Sequence, residues 1–248
     1  MASVVTAEDR AAACALAQDW GLSSSCIVRA DHDIRIALHG GLSGRPGIAL
    51  IAGTGSSCYG RNESGESWQS GGWDQLLDDL GSSYDIVRQG MAAACQYADG
   101  RLPETRLKSL FFDKFDVSCA AEFSAKLHRP PLARHIIASH ASLVLMAAQE
   151  GDRQALRIAC SGASELARMV QAVARRLFPS QPLELVFIGG LIQENGFYAD
   201  LVRQAIEKLG LGLRFSPTEL TPVAGAWMLA AEQAGADTSG VHFLHHVS

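Results

Sequence analysis

A short segment of glycines and hydroxyl residues follows an apolar run in the first quarter of the chain. Residues 47–52 are apolar and strand-like, and Gly53-Thr54-Gly55-Ser56 comes directly after them. Glycines allow backbone N–H groups to approach an anion, and the hydroxyls add donors, so this segment is a candidate phosphate cradle. An ordinary tight turn explains the pattern equally well. The chain contains neither a Walker loop nor a Rossmann fingerprint.

Other positions carry weaker signals when each is taken alone. Gly189 and Gly190 close a second apolar run, and Gly225 follows Pro222, which is typical of structural glycines. Asp31 lies where a predicted strand ends and a predicted helix begins. A carboxylate at such a junction is typical of a helix cap.

The elements that must position these residues follow an α/β order. Strands are predicted for residues 26–30, 47–52, 183–188 and 211–215, with a hairpin over 59–68. Helices are predicted for 7–20, where Thr6 and Asp9 form a capping box, for the segment after Asp31, for 198–209 and for the segment opened by Pro222.

The middle of the chain, from about residue 81 to 178, favours helices only. One of them has apolar residues at intervals of three and four, which predicts a buried face formed by Leu156, Ala159, Ala163, Leu166, Val170, Val173 and Leu177. Asp152 is its predicted N-cap, and Pro130 and Pro131 separate two earlier helices. The sequence thus predicts an α/β protein with a helical insertion.

Composition excludes several classes of function. The 248 residues are 48% hydrophobic, which is enough for one large or two modest cores. A formal net charge of -5 gives no basic surface for nucleic acid or an anionic membrane. Because the sequence shows no long apolar stretch and no secretory signal, we expect a cytoplasmic protein without a membrane segment.

Cysteines and histidines give no sign of a metal centre. The six cysteines include no Cys-x-x-Cys pair, so we expect buried thiols rather than disulfides or zinc ligands. The eight histidines follow no metal-ligand spacing. No metal held by the protein's own side chains is predicted.

Several motifs, taken in order, resemble one family. The chain is similar to N-acetylglucosamine kinases and the wider BadF/BadG/BcrA/BcrD ATPase family at Ile-Ala-Gly-Thr-Gly-Ser (51–56), Gly-Gly-Trp (71–73), Asp79 with Gly-Ser-Ser-Tyr (81–84), Phe-Ile-Gly-Gly (187–190) and Pro-Val-Ala-Gly-Ala (222–226). The resemblance covers nearly all of the chain. It implies the actin-like, ribonuclease H-like α/β fold, in which two related domains close around ATP and substrate.

The resemblance also implies roles for individual residues. Asp31 would act as a general base that accepts the proton of the attacking sugar hydroxyl. A general base raises the reaction rate by roughly 10²–10⁴-fold. ATP would lie against the residues of the glycine segments, namely Thr54, Gly55, Gly189, Gly190 and Gly225, with Mg²⁺ held mostly by phosphates and water. The sugar site would contain Ser56, Ser57, Gly72, Trp73 and Asp79.

The chain departs from the family pattern in two places. Asp74, Asp78 and Leu80 stand where the family has glycine, glycine and glutamate, which leaves the identity of the amino sugar open. Members of the family also begin with a strand hairpin carrying an Asp-Gly-Gly-Gly-Thr-like phosphate loop, which this sequence lacks. We therefore expect residues 1–41 to be the remnant of an N-terminal domain, 42–248 to be the C-terminal domain, and this polypeptide alone to have little or no kinase activity.

Three functions remain open from the sequence. The first is an ATP-dependent kinase for an amino sugar of the N-acetylglucosamine or glucosamine class, and a homodimer is compatible with it. The second is a non-catalytic sugar- or nucleotide-binding protein that keeps the pocket without the phosphate loop. The third is the activator ATPase branch, which needs a cysteine pair for an iron–sulfur cluster, and the six cysteines show no convincing pair.

Overall fold

The computed structural model describes residues 6–21, 26–178 and 183–236. Its centre is a mixed sheet of five strands: β1 (Gly47–Ala52), β2 (Ser56–Arg61), β3 (Ser67–Gly71), β4 (Leu183–Ile188) and β5 (Leu213–Ser216). The spatial order is β3-β2-β1-β4-β5. The first three strands form an antiparallel meander, β4 pairs with β1 in parallel, and β5 pairs with β4 in parallel.

Helices account for most of the remaining described residues. They are α1 (Ala7–Leu16), α2 (Asp33–Gly41), α3 (Ser83–Ala98), α4 (Leu107–Phe115), α5 (Ala120–His128), α6 (Arg134–Ala138), α7 (Ala141–Gln149), α8 (Arg153–Leu177), α9 (Gly190–Gln193), α10 (Gly196–Glu207) and α11 (Pro222–Gln233). A short 3₁₀ turn, Ala17–Trp20, extends α1. From α3 to α8 the regular elements are helices joined by loops, as predicted, apart from an isolated bridge between His128 and Pro131.

Several predicted helix ends are confirmed by their caps. Thr6 and Asp9 form the capping box of α1, and Gly21 follows with φ 65°. Asp152 accepts hydrogen bonds from the backbone of Gln154 and Ala155 at the start of α8. Pro222 occupies the first turn of α11 behind the Thr221 cap. Local side-chain chemistry therefore fixes where these helices begin.

The two faces of the sheet carry separate apolar clusters because successive strand residues point to opposite sides. Ile48 and Leu50 of β1 belong to the larger cluster, which the insertion helices and α8 complete. Ala49, between them, belongs to a smaller cluster with Ile34 and Leu38 of α2. The sheet is thus covered by α8 on one side and by α2 on the other.

Three sequence predictions are wrong in detail. Residues 26–30 form no strand, since a strand needs a hydrogen-bonded neighbour and the described chain offers none there. Leu156 is 38% exposed in the first turn of α8, where the preceding residue, Ala155, is the one that is fully buried. Of the six free cysteines only Cys58 is buried, and three others are exposed: Cys26, Cys119 and Cys160.

The predicted domain boundary after residue 41 stays a prediction. Helix α2, on its N-terminal side, packs on the sheet and against α11. No helix in the described ranges combines the length and the apolar character that crossing a membrane requires.

Candidate functional site

Two glycine turns meet at the carboxyl-terminal ends of two central strands. Strands β1 and β4 are parallel neighbours, so the turns that follow them begin side by side. Gly189 has φ 102°, and a Cβ on it would lie 2.5 Å from the carbonyl oxygen of Ala52. Only glycine allows this approach, which brings residue 189 against the start of the 53–56 turn. Gly190 is exposed and begins α9.

The 53–56 turn presents its backbone outward. Gly53 donates its N–H to the carbonyl of Gly55 over 2.9 Å, and Thr54 is exposed. The N–H groups of Thr54 and Gly55 donate no hydrogen bond to any residue that the structure describes. Adjacent free N–H donors in a turn suit phosphate oxygens, so the residues present fit the phosphates of a nucleotide.

Asp79 closes this turn from the neighbouring loop. Its residue is buried, with φ 60°, and its Oδ1 accepts the backbone N–H of Ser56 at 2.9 Å. The Ser56 hydroxyl in turn donates to the carbonyl of Leu80 at 2.8 Å. Because these bonds cross between the β1–β2 turn and the loop before α3, the predicted phosphate turn lies directly beside Asp79, a predicted sugar residue.

Arg134, at the start of α6, is a member of this site that the sequence did not reveal. Its Nη2 forms an ion pair with Oδ2 of Asp79 and lies 3.5 Å from the carbonyl oxygen of Thr54. Nothing in the local sequence distinguishes it, since it is a single arginine after a Pro-Pro pair in a helical region. Its place in the site depends on the ion pair with Asp79, which lies 55 residues earlier in the sequence.

Gly72 and Trp73 lie on the loop that leads to Asp79. Gly72 has φ 82°, and a Cβ on it would lie 2.9 Å from Cβ of Ser57, so these two predicted sugar residues are adjacent. Trp73 is 50% exposed, which excludes a core position and leaves its indole open to a ligand.

The two extra carboxylates of this loop do not form an open anionic pocket. Burial raises the pKa of Asp78, and hydrogen bonds from the backbone of Trp73 and Gly72 partly offset the rise. The Asp74 side chain is mostly exposed, and its Oδ2 lies 3.6 Å from Nη1 of Arg134. Asp78 therefore stabilises its own loop, and Asp74 lies beside the guanidinium of Arg134.

Among the residues that the structure describes, Asp31 has no direct bond to the 53–56 turn. The C-terminal end of α2 lies near the start of β1, where Leu42 packs on Gly47. Asp31 Oδ2 is 2.5 Å from Nη1 of Arg35, and Oδ1 accepts the His32 N–H at 2.8 Å. His32, rather than Asp31, is the N-cap of α2.

Gly225 is buried at a helix crossing. A Cβ there would meet the carbonyl of Ile36 and the backbone of Gly40, so the contact between α11 and α2 by itself requires glycine. Its predicted position against adenosine stays a prediction. Within the described ranges, no group of three or more His, Cys, Asp or Glu side chains is arranged to hold a metal ion.

Curated relatives are sugar kinases. The chain is 35% identical over 174 residues to the N-acetylmuramic acid/N-acetylglucosamine kinase of Clostridium acetobutylicum, a match covering 70% of this chain and 57% of that protein. It is 29% identical over 207 residues to the N-acetyl-D-glucosamine kinase of Dictyostelium discoideum, covering 80% of this chain and 64% of that one. The chain thus spans less than two thirds of the length of these relatives.

A solved structure and a family profile agree with these matches. A protein from Chromobacterium violaceum, provisionally described as an N-acetylglucosamine kinase, superposes with a TM-score of 0.64 at 23% identity, covering 80% of this chain and 64% of that chain. This likeness confirms the predicted actin-like α/β fold. The profile of the BadF/BadG/BcrA/BcrD ATPase family matches residues 9–230. The chain therefore belongs to the BadF/BadG/BcrA/BcrD ATPase family.

Proposed function

We propose that this chain forms the sugar pocket and nucleotide turn of an ATP-dependent kinase that phosphorylates an amino sugar of the N-acetylglucosamine or glucosamine class. The observation that carries the proposal is the bond between Ser56 N–H and Asp79 Oδ1, because it joins a turn suited to phosphate to a loop suited to sugar hydroxyls. The two relatives, both kinases of N-acetylated amino sugars, support the same class of substrate.

On the nucleotide side, ATP supplies the phosphoryl group, and Mg²⁺ bound to its phosphates and to water neutralises charge. Thr54 and Gly55 would hold phosphate oxygens through their backbone N–H groups. Gly189, Gly190 and Gly225 would lie against the adenosine, where a side chain would obstruct the nucleotide. The fit rests on the free donors of the 53–56 turn, which no described residue satisfies.

On the sugar side, Asp79 would accept hydrogen bonds from two hydroxyls, since each carboxylate oxygen has two lone pairs. Ser56, Ser57 and Gly72 would line the pocket around it, and the half-exposed Trp73 would form a flat apolar wall. Asp78 accepts hydrogen bonds from its own loop, and Asp74 lies beside Arg134, so the two carboxylates form no pocket for a free ammonium group. We therefore favour the N-acetylated sugar over unacetylated glucosamine.

Asp31 would accept the proton of the attacking hydroxyl. Oδ1 already accepts the N–H of His32, and Oδ2 is paired with Arg35, so the carboxylate is held in one orientation at the end of α2. A fixed carboxylate within hydrogen-bond reach of the hydroxyl is what general-base catalysis requires. The competitor is Asp33, whose Oδ1 lies 2.9 Å from Nδ1 of His32.

The test separates binding from chemistry. Isothermal titration calorimetry with N-acetylglucosamine, glucosamine and ADP measures the two half-sites, and a coupled assay measures phosphoryl transfer. Asp31→Asn should keep sugar binding and lower turnover by roughly 10²–10⁴-fold, whereas Asp33→Asn should retain turnover.

The outcomes distinguish the candidate functions. Sugar and ADP binding without any transfer would favour the non-catalytic binding protein. A chain that binds neither ligand would contradict the proposal. If the unaltered chain shows measurable transfer, equal turnover in Asp31→Asn would remove Asp31 from the chemistry while leaving the pocket assignment intact.

A further inference from the structure

The insertion helix α6 reaches the proposed sugar pocket through one side chain. Arg134 begins this helix, 55 residues beyond Asp79 in the sequence. Its side chain is 29% exposed and that of Asp79 is 6% exposed, so the ion pair between them is largely removed from water. Water screens a pair in this environment less than it screens a surface pair, and loss of either partner leaves the other charge buried without its counterion.

The two oxygens of Asp79 have different partners. Oδ1 accepts the N–H of Ser56, and Oδ2 is paired with Nη2 of Arg134. The carboxylate plane is therefore fixed from both sides before any ligand binds. Each oxygen keeps one lone pair, so two acceptor positions with a defined direction remain for hydroxyl groups.

The same guanidinium also contacts the nucleotide turn. Nη2 lies 3.5 Å from the carbonyl oxygen of Thr54, and a Cβ on Gly55 would lie only 2.8 Å from it. On its other side the guanidinium carbon is 5.7 Å from the centre of the Tyr84 ring. Arg134 thus contacts the 53–56 turn, the loop that carries Asp79, and the first turn of α3.

The hydrogen bonding of Arg134 is incomplete. Its Nε is buried and has no acceptor among the residues that the structure describes. A buried donor without a partner destabilises the fold. The closest polar partner of Arg134 is Asp79, so the ion pair with that carboxylate best accounts for the position of the guanidinium.

We propose that Arg134 is a positioning residue of the sugar pocket: it orients the Asp79 carboxylate toward the sugar hydroxyls and determines sugar affinity, while ADP affinity depends on it little. This inference rests on the proposed function, since it concerns the same pocket. It makes the helical insertion part of the substrate site. Without Arg134, Asp79 would be left buried and unpaired, and its carboxylate would be free to turn away from the hydroxyls.

Calorimetry on the full chain tests the inference with N-acetylglucosamine and ADP as probes. Arg134→Ala should weaken sugar binding by about 10- to 100-fold, because it removes a charged hydrogen-bond partner, and should change the ADP dissociation constant little. Arg134→Lys should recover part of the sugar affinity, because it restores the charge without the planar fork. Arg168→Ala, which removes an exposed arginine paired with Glu165, is the matched control and should alter neither constant.

A double-mutant cycle assigns the effect to Asp79. In an Asp79→Asn background, Arg134→Ala should cause a much smaller further loss of sugar affinity, since the pair is already broken. If Arg134→Ala does not fold, as judged by circular dichroism, Arg134→Lys carries the same comparison.

Two results would overturn the inference alone: unchanged sugar affinity in a folded Arg134 variant, or equal losses for sugar and ADP, which indicate a purely structural role. Failure of the unaltered chain to bind any amino sugar would refute the proposed function and this inference together. The two kinds of failure are therefore distinguishable.

Discussion

Nε2 of His39 on α2 lies 3.0 Å from Oε1 of Glu232 on α11, and this contact joins two helices that are far apart in the sequence. The His39 side chain is only 3% exposed. Burial lowers the pKa of His39, the positive charge of Arg61 lowers it further, and Glu232 opposes the change. The folded protein therefore holds this imidazole in its neutral form more strongly than the unfolded chain does.

The lowered pKa of His39 predicts a loss of stability at mildly acidic pH. The unfolded chain binds the proton with a pKa near 6.5. The contribution of neutral His39 to the free energy of unfolding should therefore be fully present above that pH, and it should decrease as the pH falls toward the lower pKa of the folded state. Urea unfolding at a series of pH values measures this slope. His39→Gln should flatten it, with the exposed His128→Gln as control; an unchanged slope would contradict the assignment.

Replacement of Gly225 should loosen the contact between α2 and α11. A methyl group in Gly225→Ala would collide with the carbonyl of Ile36 and with the backbone of Gly40. We expect a loss of about 1–3 kcal/mol in the free energy of unfolding, as for other overpacked sites. Gly196→Ala in α10 is the control, since nothing lies within 4 Å of its Cβ position. Equal stabilities for the two variants in urea unfolding would refute this account.

Gly55 and Gly53 offer a matched pair within one turn. A Cβ on Gly55 would lie 2.7 Å from Oδ1 of Asp79 and 2.8 Å from Nη2 of Arg134, whereas one on Gly53 has open space. Gly55→Ala should therefore lower the free energy of unfolding by about 1–3 kcal/mol and weaken sugar binding. Gly53→Ala should leave the melting temperature near that of the unaltered chain. A melting temperature that falls equally in both would show that the turn, rather than the ion pair, is sensitive.

Asp152 should stabilise the protein only where it is ionised. Burial alone would raise its pKa, but hydrogen bonds from Ala155, Arg106, Thr105 and Gln154 outweigh burial and lower the pKa. The stabilisation should therefore be present above the unfolded pKa and disappear as pH falls through the lower folded value. Asp152→Ala should cost about 1–3 kcal/mol near neutral pH.

Acid titration of unfolding checks this prediction for Asp152. The stability difference between the unaltered chain and Asp152→Ala should shrink as pH falls below the ordinary aspartate range. Asp113→Ala, at an exposed position of α4, provides the comparison. A difference that stays constant down to the lowest pH would mean that the cap acts without its charge.

Much of the local structure was predictable from the sequence. The capping box of Thr6 and Asp9, the Asp152 cap and the Pro222 start are interactions between residues a few positions apart, so neighbouring sequence contains all that they require. The strands 47–52 and 183–188 are confirmed residue for residue. Apart from Glu184, their residues are apolar or glycine, which marks strands buried on both faces.

Predictions failed where the outcome depends on a distant partner. The apolar segment 26–30 has strand-forming residues but no strand beside it in the described chain, and a strand without a partner leaves its backbone groups unpaired. Cys119 and Cys160 are residues of a type that is usually buried, yet they lie on exposed sides of their segments. Composition cannot indicate which side of an element faces the core.

By itself, the sequence determined the order of the elements, the glycine turns at the ends of β1 and β4, and the family to which these motifs belong. Only the tertiary structure decided that Arg134 pairs with Asp79, that Asp78 braces its own loop, and that Gly225 serves a helix crossing. Periodicity and caps act over one or two turns of chain, and the sequence displays them directly. Ion pairs and close backbone contacts form between segments that meet only when the sheet has assembled, so no local pattern encodes them.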